Sequence, residues 1–266
     1  MRPSARPPAE PTKPERRLAG RRALISGAAG GQGEAVARRF VAEGARVALT
    51  DISSERLRHL LSDLIGEGHD AVAFPCDVRK DLEVEAVVEA AADALGGLDV
   101  LYNNAGVYWP DRDAPVDRLE RGVWDEILAI NTTSVFLFSK HALKHLLAAG
   151  DGVLLNVASV AAYAGDAQCH AYAASKGALI ALTKSIAQRY GNAGLRANVI
   201  CPGFIATPMV DWLLEDASLA QDVMDATALA RVGTPEEVAS VAAFLASADA
   251  SFVTASVIPV HGGLVK

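Results

Sequence analysis

Tyr172-Ala-Ala-Ser-Lys176 places a phenol and a primary amine four residues apart, on one face of a helix. Ser159 stands thirteen residues before the tyrosine, just past the apolar run Gly152–Val157. A phenol, an ammonium and a hydroxyl sharing one crevice suit proton transfer to or from a substrate oxygen. Oxidising an alcohol requires a base for the hydroxyl proton while hydride leaves the carbon. A free tyrosine, with a pKa of about 10, is too weak a base at neutral pH. An ammonium ~5 Å away, at an effective dielectric of ~20, contributes ~3 kcal/mol, or about two pKa units. Tyr172 is therefore expected to have a lowered pKa and to act as base, and as acid in the reverse direction. A Tyr–Lys pair at this spacing is by itself also an ordinary helix-surface pair, so the chemistry needs a site for a hydride carrier.

The segment Ser26-Gly27-Ala28-Ala29-Gly30-Gly31-Gln32-Gly33 offers one. It follows an apolar run and opens a helical segment. Glycine lets a ligand approach the main chain, and a helix start presents unpaired N–H groups to a pyrophosphate. The spacing is Gly-xxx-Gly-x-Gly at Gly27, Gly31 and Gly33, not Gly-x-Gly-x-x-Gly, because position 36 is Val36. Asp51 follows the second apolar run, 24 residues after Gly27, where a dinucleotide site places a carboxylate for ribose hydroxyls. Its other ordinary role would be a helix N-cap. A 2′-phosphate with nearly two negative charges, ~4 Å from Asp51, meets ~2 kcal/mol of repulsion even in bulk water. That is roughly thirtyfold against NADP, so NAD is the expected cofactor. Ala28, Ala29 and Ile52 supply no cation to offset it, although Arg56 is near in sequence.

These residues must be positioned by a regular scaffold. Apolar runs at Ala23–Ser26, Arg46–Thr50, Ala71–Phe74, Asp99–Tyr102, Gly152–Val157, Arg196–Ile200 and Ser256–Val260 read as strands. Between them, helical periodicity covers Gly33–Glu43, Ser53–Ile65, Asp81–Leu95, Asp117–Ala148, His170–Tyr190 and Thr234–Ala246. Strands that are apolar throughout and separated by long helices predict a doubly wound parallel α/β sheet, covered on both faces. Ligands bind beyond the carboxyl ends of such strands, which is where the residues above fall.

Composition narrows the function classes. The 266 residues are 51% hydrophobic and 21% charged, as in a globular protein, and the net charge of −7 argues against a nucleic-acid partner. Cys76, Cys169 and Cys201 are odd in number and widely spaced, which indicates neither a disulfide framework nor a zinc knuckle and fits a cytoplasmic protein. His141 and His145 lie four apart but lack the glutamate of a zinc-binding helix, so no metal is expected. No apolar run is long enough to span a membrane. Residues 1–18 are read as a flexible Pro/Arg-rich tail without function, and 19–266 as one domain.

Taken together, these motifs resemble the short-chain dehydrogenase/reductase family, from Leu18 to Gly263. The glycine motif is similar, with Ser26 where Thr is usual. Asn103-Asn104-Ala105-Gly106 matches the family's NNAG motif, and Pro202-Gly203 its proline–glycine motif. The resemblance implies a single Rossmann-type domain of about seven strands and a catalytic set of Asn131, Ser159, Tyr172 and Lys176. Tyr172 would be the acid/base and Ser159 would bind the substrate oxygen. Lys176 would bind the nicotinamide ribose, and Asn131 would hold a water linking Lys176 to solvent. The cofactor would further touch Gln32, Asp77, Val78, Asn104, Ala105, Gly106, Pro202, Gly203, Ile205 and Thr207. Residues 204–229 would form a substrate lid. Neither this lid nor Val160–Cys169 contains Lys or Arg, which implies an uncharged, largely apolar secondary alcohol or ketone. His261 departs from the acidic residue common before the terminal glycine pair. The family also implies a homotetramer, built partly on the helices Asp117–Ala148 and His170–Tyr190. The alternatives are an NADP-dependent reductase and a silent nucleotide-binding member, the latter disfavoured because all four catalytic positions are filled.

Overall fold

The apolar runs form seven strands, all parallel. They are β1 (Arg22–Ser26), β2 (Arg46–Asp51), β3 (Ala71–Pro75), β4 (Val100–Asn103), β5 (Val153–Val157), β6 (Arg196–Pro202) and β7 (Val257–Val260). The computed structural model describes residues 16–264, and within it the strand order is 3-2-1-4-5-6-7. Alternation along each strand feeds two cores. Ala23 and Ile25 of β1, Val47 and Leu49 of β2, and Val153, Leu155 and Val157 of β5 enter one. Leu24, Ala48 and Leu154 enter the other. Both faces are thus buried, which is why these strands read as continuous apolar runs rather than alternating ones.

The helices complete the layers. α1 (Gly31–Ala42) and α2 (Ser54–Gly66) lie on the first core; α3 (Asp81–Leu95) lies on the second. α4 (Arg121–Leu128) continues through a π-helical turn, Ala129–Thr133, into α5 (Ser134–Ala148) on the second core. α6 (Ala161–Ala164) is short, and α7 (His170–Tyr190) packs on β6. α8 (Asp211–Leu214) and α9 (Ala217–Ala226) follow β6, and α10 (Pro235–Ala246) packs against α1. Ser53 caps α2 through Arg56 N–H, and Thr234 with Glu237 forms a capping box on α10.

Several boundaries differ from the sequence expectation. α1 begins at Gly31 rather than Gly33, because Gly30 is the extended cap residue. The expected single helix Asp117–Ala148 begins at Arg121 and is interrupted by the π turn, since helical periodicity does not register one extra residue in a turn. The folded region also reaches back past the expected tail boundary. Leu18 is fully buried, and its N–H bonds Glu43 O at 3.0 Å. Residues 1–15 of the expected tail lie outside the described residues.

Glu43 anchors that N-terminal segment. Its carboxylate is fully buried and accepts from Arg17 Nε and Nη2, both at 2.8 Å, and from Arg39 Nε at 2.5 Å. Burial alone would raise the Glu43 pKa, but the two guanidiniums together hold it below its ordinary value. A lowered folded-state pKa contributes stability above the unfolded value, and that contribution fades as pH falls through the folded one. Glu43→Ala should therefore cost ~2–4 kcal/mol near neutrality, by loss of a buried pair. Thermal melts should show the gap to wild type shrinking toward pH ~3. An unchanged melting temperature at neutral pH would contradict this.

Candidate active site

The carboxyl ends of β1 and β4 diverge at the point where the strand order reverses, and a crevice opens there. Ser26 holds the two ends together: its Oγ accepts from Asn104 N–H at 3.1 Å and Ala105 N–H at 3.3 Å. Asn104 Nδ2 returns a bond to Gly27 O at 2.9 Å. The methyl that Thr would add at position 26 is not needed for either contact. Gly27 sits at φ +62°, and a Cβ there would meet Ala105 Cα at 2.7 Å. Side chains are thereby kept out of the turn, and main-chain groups face the crevice. Asn103, by contrast, points into the sheet and bonds Asn156 Oδ1 at 2.8 Å.

A cavity of about 830 Å³ runs from this turn across the sheet edge to the segment after β6. Gly27, Gly31, Gln32, Asp51, Asp77, Val78, Asn104, Ala105, Gly106, Pro202, Gly203, Ile205 and Thr207 all line it, as do Ser159, Tyr172 and Lys176. Two expected residues do not. Gly33 packs against Gly27 instead, where a Cβ would fall 2.0 Å from Gly27 O. Asn131 is fully buried in the π turn. Its side chain bonds Val107 N–H at 2.8 Å, Val107 O at 3.0 Å and Ser175 Oγ at 3.1 Å, so it braces the chain after β4 against α7.

Asp51 is not a helix cap; Ser53 fills that role. Its carboxylate accepts from Ala29 N–H at 3.1 Å and Ser53 N–H at 2.9 Å, which fixes its orientation beside the glycine turn. Gln32 Oε1 lies on the same wall, buried and without a hydrogen-bond partner. An orphaned acceptor beside a main-chain cradle that a Cβ would block fits a bound dinucleotide. Arg56 and Arg79 also line the cavity, and Arg79 is paired with Asp77 at 2.8 Å.

Tyr172 and Lys176 share one face of α7. Lys176 Nζ donates to Val157 O at 2.9 Å and lies 5.9 Å from the Tyr172 ring centre. The pKa expectation is corrected here. Burial pushes the Tyr172 phenol up to about 12, and the Ser159 hydroxyl lowers it only in part. Burial also pulls Lys176 down to about 8. Burial disfavours the charged form of each group, so it moves the two pKa values in opposite directions. A phenol shifted in this direction is suited to donating a proton rather than to taking one up at neutral pH.

Sequence reasoning missed two neighbours of Tyr172. Tyr108 packs edge-on against its ring, with centroids 4.9 Å apart, and lines the cavity. Asp113 is buried and accepts from Tyr172 N–H at 2.8 Å. Neither belongs to a recognisable spacing motif.

The segment after β6 is anchored at both ends. Phe204 and Ala206 exchange main-chain bonds with Gly233, and Ala228 and Leu229 donate to Gly263 and Gly262. Between these anchors the turn Pro208–Val210 and α9 line the cavity, through Met209, Val210, Val223 and Ala226, with Leu264 beside them. His141 and His145 lie elsewhere, bonded to Asp81 and Glu89 of α3. Among the described residues no cluster of His, Cys, Asp and Glu could hold a metal, and no helix is long and apolar enough to cross a membrane. All three cysteines are free and buried.

Comparison with known proteins follows the same lines. A family model described as enoyl-(acyl carrier protein) reductase matches residues 27–265. A cis-4-hydroxycyclohexanecarboxylate dehydrogenase of Sinomonas cyclohexanicum is 39% identical, over 92% of this chain and 97% of its own. A 3-alpha-(or 20-beta)-hydroxysteroid dehydrogenase of Mycobacterium tuberculosis is 38% identical, over 94% and 91%. Among solved structures, a short-chain dehydrogenase/reductase of Brucella melitensis superposes with a TM-score of 0.88 at 34% identity, covering 95% of this chain and 99% of that one.

Proposed function

Because the chain belongs to the short-chain dehydrogenase/reductase family of oxidoreductases acting on CH–OH groups, we propose that it interconverts an uncharged, largely apolar secondary alcohol and its ketone using NAD(H). The observation that carries this is one cavity holding Ser159, Tyr172 and Lys176 at one end and the Gly27 turn with Asp51 at the other.

When bound, the nicotinamide cofactor supplies or accepts the hydride. Main-chain groups at Gly27, Gly31 and Gln32 would meet its pyrophosphate, Asp51 its adenosine ribose, and Asp77 and Val78 its adenine. Asn104, Ala105 and Gly106 would flank it in the crevice. Pro202, Gly203, Ile205 and Thr207 would meet its carboxamide end. Lys176 would donate to the nicotinamide ribose hydroxyls. In ketone reduction the Tyr172 phenol gives its proton to the substrate oxygen while the Ser159 hydroxyl holds that oxygen. With the Asn131 side chain committed to Val107 and Ser175, its part in a water relay falls to the main chain of the π turn.

The substrate end supports an uncharged ligand. Trp109, Val160, Phe204, Met209 and Val210 line it, while Asp166 and Asp222 would repel anions. Two relatives are named for ring-bearing alcohols, a hydroxycyclohexanecarboxylate and a hydroxysteroid, which favours a ring-bearing substrate here; Asp166 and Asp222 set this cavity against a carboxylate such as that of the first. Screening cyclic secondary alcohols by NADH absorbance tests the activity. NAD should exceed NADP by at least ~10-fold in kcat/KM, following the ~2 kcal/mol repulsion at Asp51. Asp51→Ala should narrow the gap, and equal use of both cofactors by the wild type would overturn the preference. An NADP-dependent reductase is the second reading, favoured by Arg56 on the same wall.

Assembly is proposed as a homotetramer in the cytoplasm, consistent with the free thiols. α7 carries Ala173, Ala174, Gly177 and Ala178 as small residues for close helix pairing. Light scattering at micromolar concentration should give a mass near four chains, and a single-chain mass would refute it.

A further inference from the structure

α7 carries the reacting phenol two residues inside its amino end, so the placement of that end sets the placement of Tyr172. The residue at the cap position, Cys169, makes no side-chain capping bond. The cap comes instead from a distant part of the chain. Asp113 Oδ2 accepts from Tyr172 N–H at 2.8 Å, and Oδ1 accepts from Ala171 N–H at 3.1 Å and from Ala114 N–H at 2.8 Å. Asp113 is 6% exposed, and no cationic side chain pairs with it among the described residues. Its charge is balanced by N–H groups and by the positive end of a 21-residue helix dipole. A neighbouring bond, Val116 N–H to His170 Nδ1 at 3.0 Å, fastens the first residue of α7 to the same loop.

The loop is itself tied to the active-site wall. Asp113 N–H bonds Trp109 O at 2.8 Å, closing a turn that starts beside Tyr108. Tyr108 packs edge-on against the Tyr172 ring. Main chain and ring of Tyr172 are therefore held by one stretch, residues 108–113. A rotation of the α7 amino end about its far end would move the phenol away from Ser159, and Asp113 is the contact that opposes it.

We infer that Asp113 is a positioning residue for proton transfer by Tyr172, acting through the Ala171 and Tyr172 amides and touching neither substrate nor cofactor. The inference rests on the proposed role of Tyr172. Wild-type turnover of a secondary alcohol is therefore measured first, and its absence would count against that role and not against the cap.

The test compares Asp113→Ala, Asp113→Asn and wild type in kcat, KM, NADH affinity by fluorescence titration, and solvent deuterium isotope effect. Asp113→Ala should lower kcat ~10–100-fold, as expected when a reacting group is displaced by about an ångström. NADH affinity should stay within about twofold, because the cap is remote from the Gly27 turn. The solvent isotope effect should increase, since proton transfer becomes slower relative to other steps. Asp113→Asn retains one acceptor oxygen and should recover part of the loss. A merely structural role predicts a smaller active fraction, with KM and isotope effect unchanged and with kcat and NADH-binding capacity falling in parallel. That pattern would overturn the inference, as would wild-type kcat in folded Asp113→Ala. If Asp113→Ala does not fold, Asp113→Asn decides: a lowered kcat with an enlarged isotope effect supports the inference, and wild-type values of both overturn it.

Discussion

Tyr172→Phe should lower kcat by ~10²-fold or more while NADH still binds, because the change deletes only the proton-transfer atom and keeps the ring packed on Tyr108. The pH profile sharpens the expectation. Burial pushes the Tyr172 phenol up to about 12. A group protonated at neutrality is set to donate, so ketone reduction should vary little between about pH 6 and about pH 8. Alcohol oxidation needs the proton removed, so its rate should climb with pH, approaching ~10-fold per unit below the pKa of the complex. In Tyr172→Phe the residual rate should lose that slope. Near-normal turnover with the slope retained would remove Tyr172 from the chemistry.

Lys176→Met should separate activity from stability. The ammonium is 5% exposed, donates to Val157 O, and is pulled by burial down to about 8. Methionine preserves much of the side-chain volume and removes the donor. Losing a charged donor to the cofactor ribose costs ~1.5–3 kcal/mol, so NADH affinity should fall ~10-fold or more. Turnover should fall further, since the charge that favours the tyrosinate is also lost. Stability should move the other way. The unfolded lysine titrates higher than the folded one, so the unfolded state holds more protons between the two values, and wild-type stability rises with pH across that window. Methionine removes this dependence and the cost of burying the charge. The variant should melt at or above the wild-type temperature at about pH 7 and lose its advantage at about pH 10. Lower stability together with intact NADH binding would contradict both parts.

The strands and the cofactor turn were legible because their signals are local. An apolar run, a glycine cluster and a carboxylate at the next strand end each declare themselves within a few residues. Ser53 and Thr234 cap the helices they directly precede, which is a signal of the same local kind. The cap on α7 was not, because it comes from Asp113, more than fifty residues away, while the local cap position holds a cysteine. The π turn escaped because Asn131 occupies a stretch whose apolar spacing still suits an α-helix. The direction of the Tyr172 shift was misjudged for a further reason. Spacing gives the distance to Lys176, but it does not give the burial that raises the phenol and lowers the amine.

The two ends of the cavity are built from different materials. The Gly27 turn presents main chain, whereas the wall made by the turn Pro208–Val210 and α9 presents the side chains of Met209, Val210, Val223 and Ala226. Main-chain surfaces tolerate few substitutions, and a Cβ at Gly27 has no room. These four side chains face the cavity from a segment anchored at both ends, so their size can change without moving the anchors. A lineage drifting by single mutations can thus exchange one alcohol for another and keep its hydride carrier. Directed evolution toward a new substrate has a defined search space in those four positions.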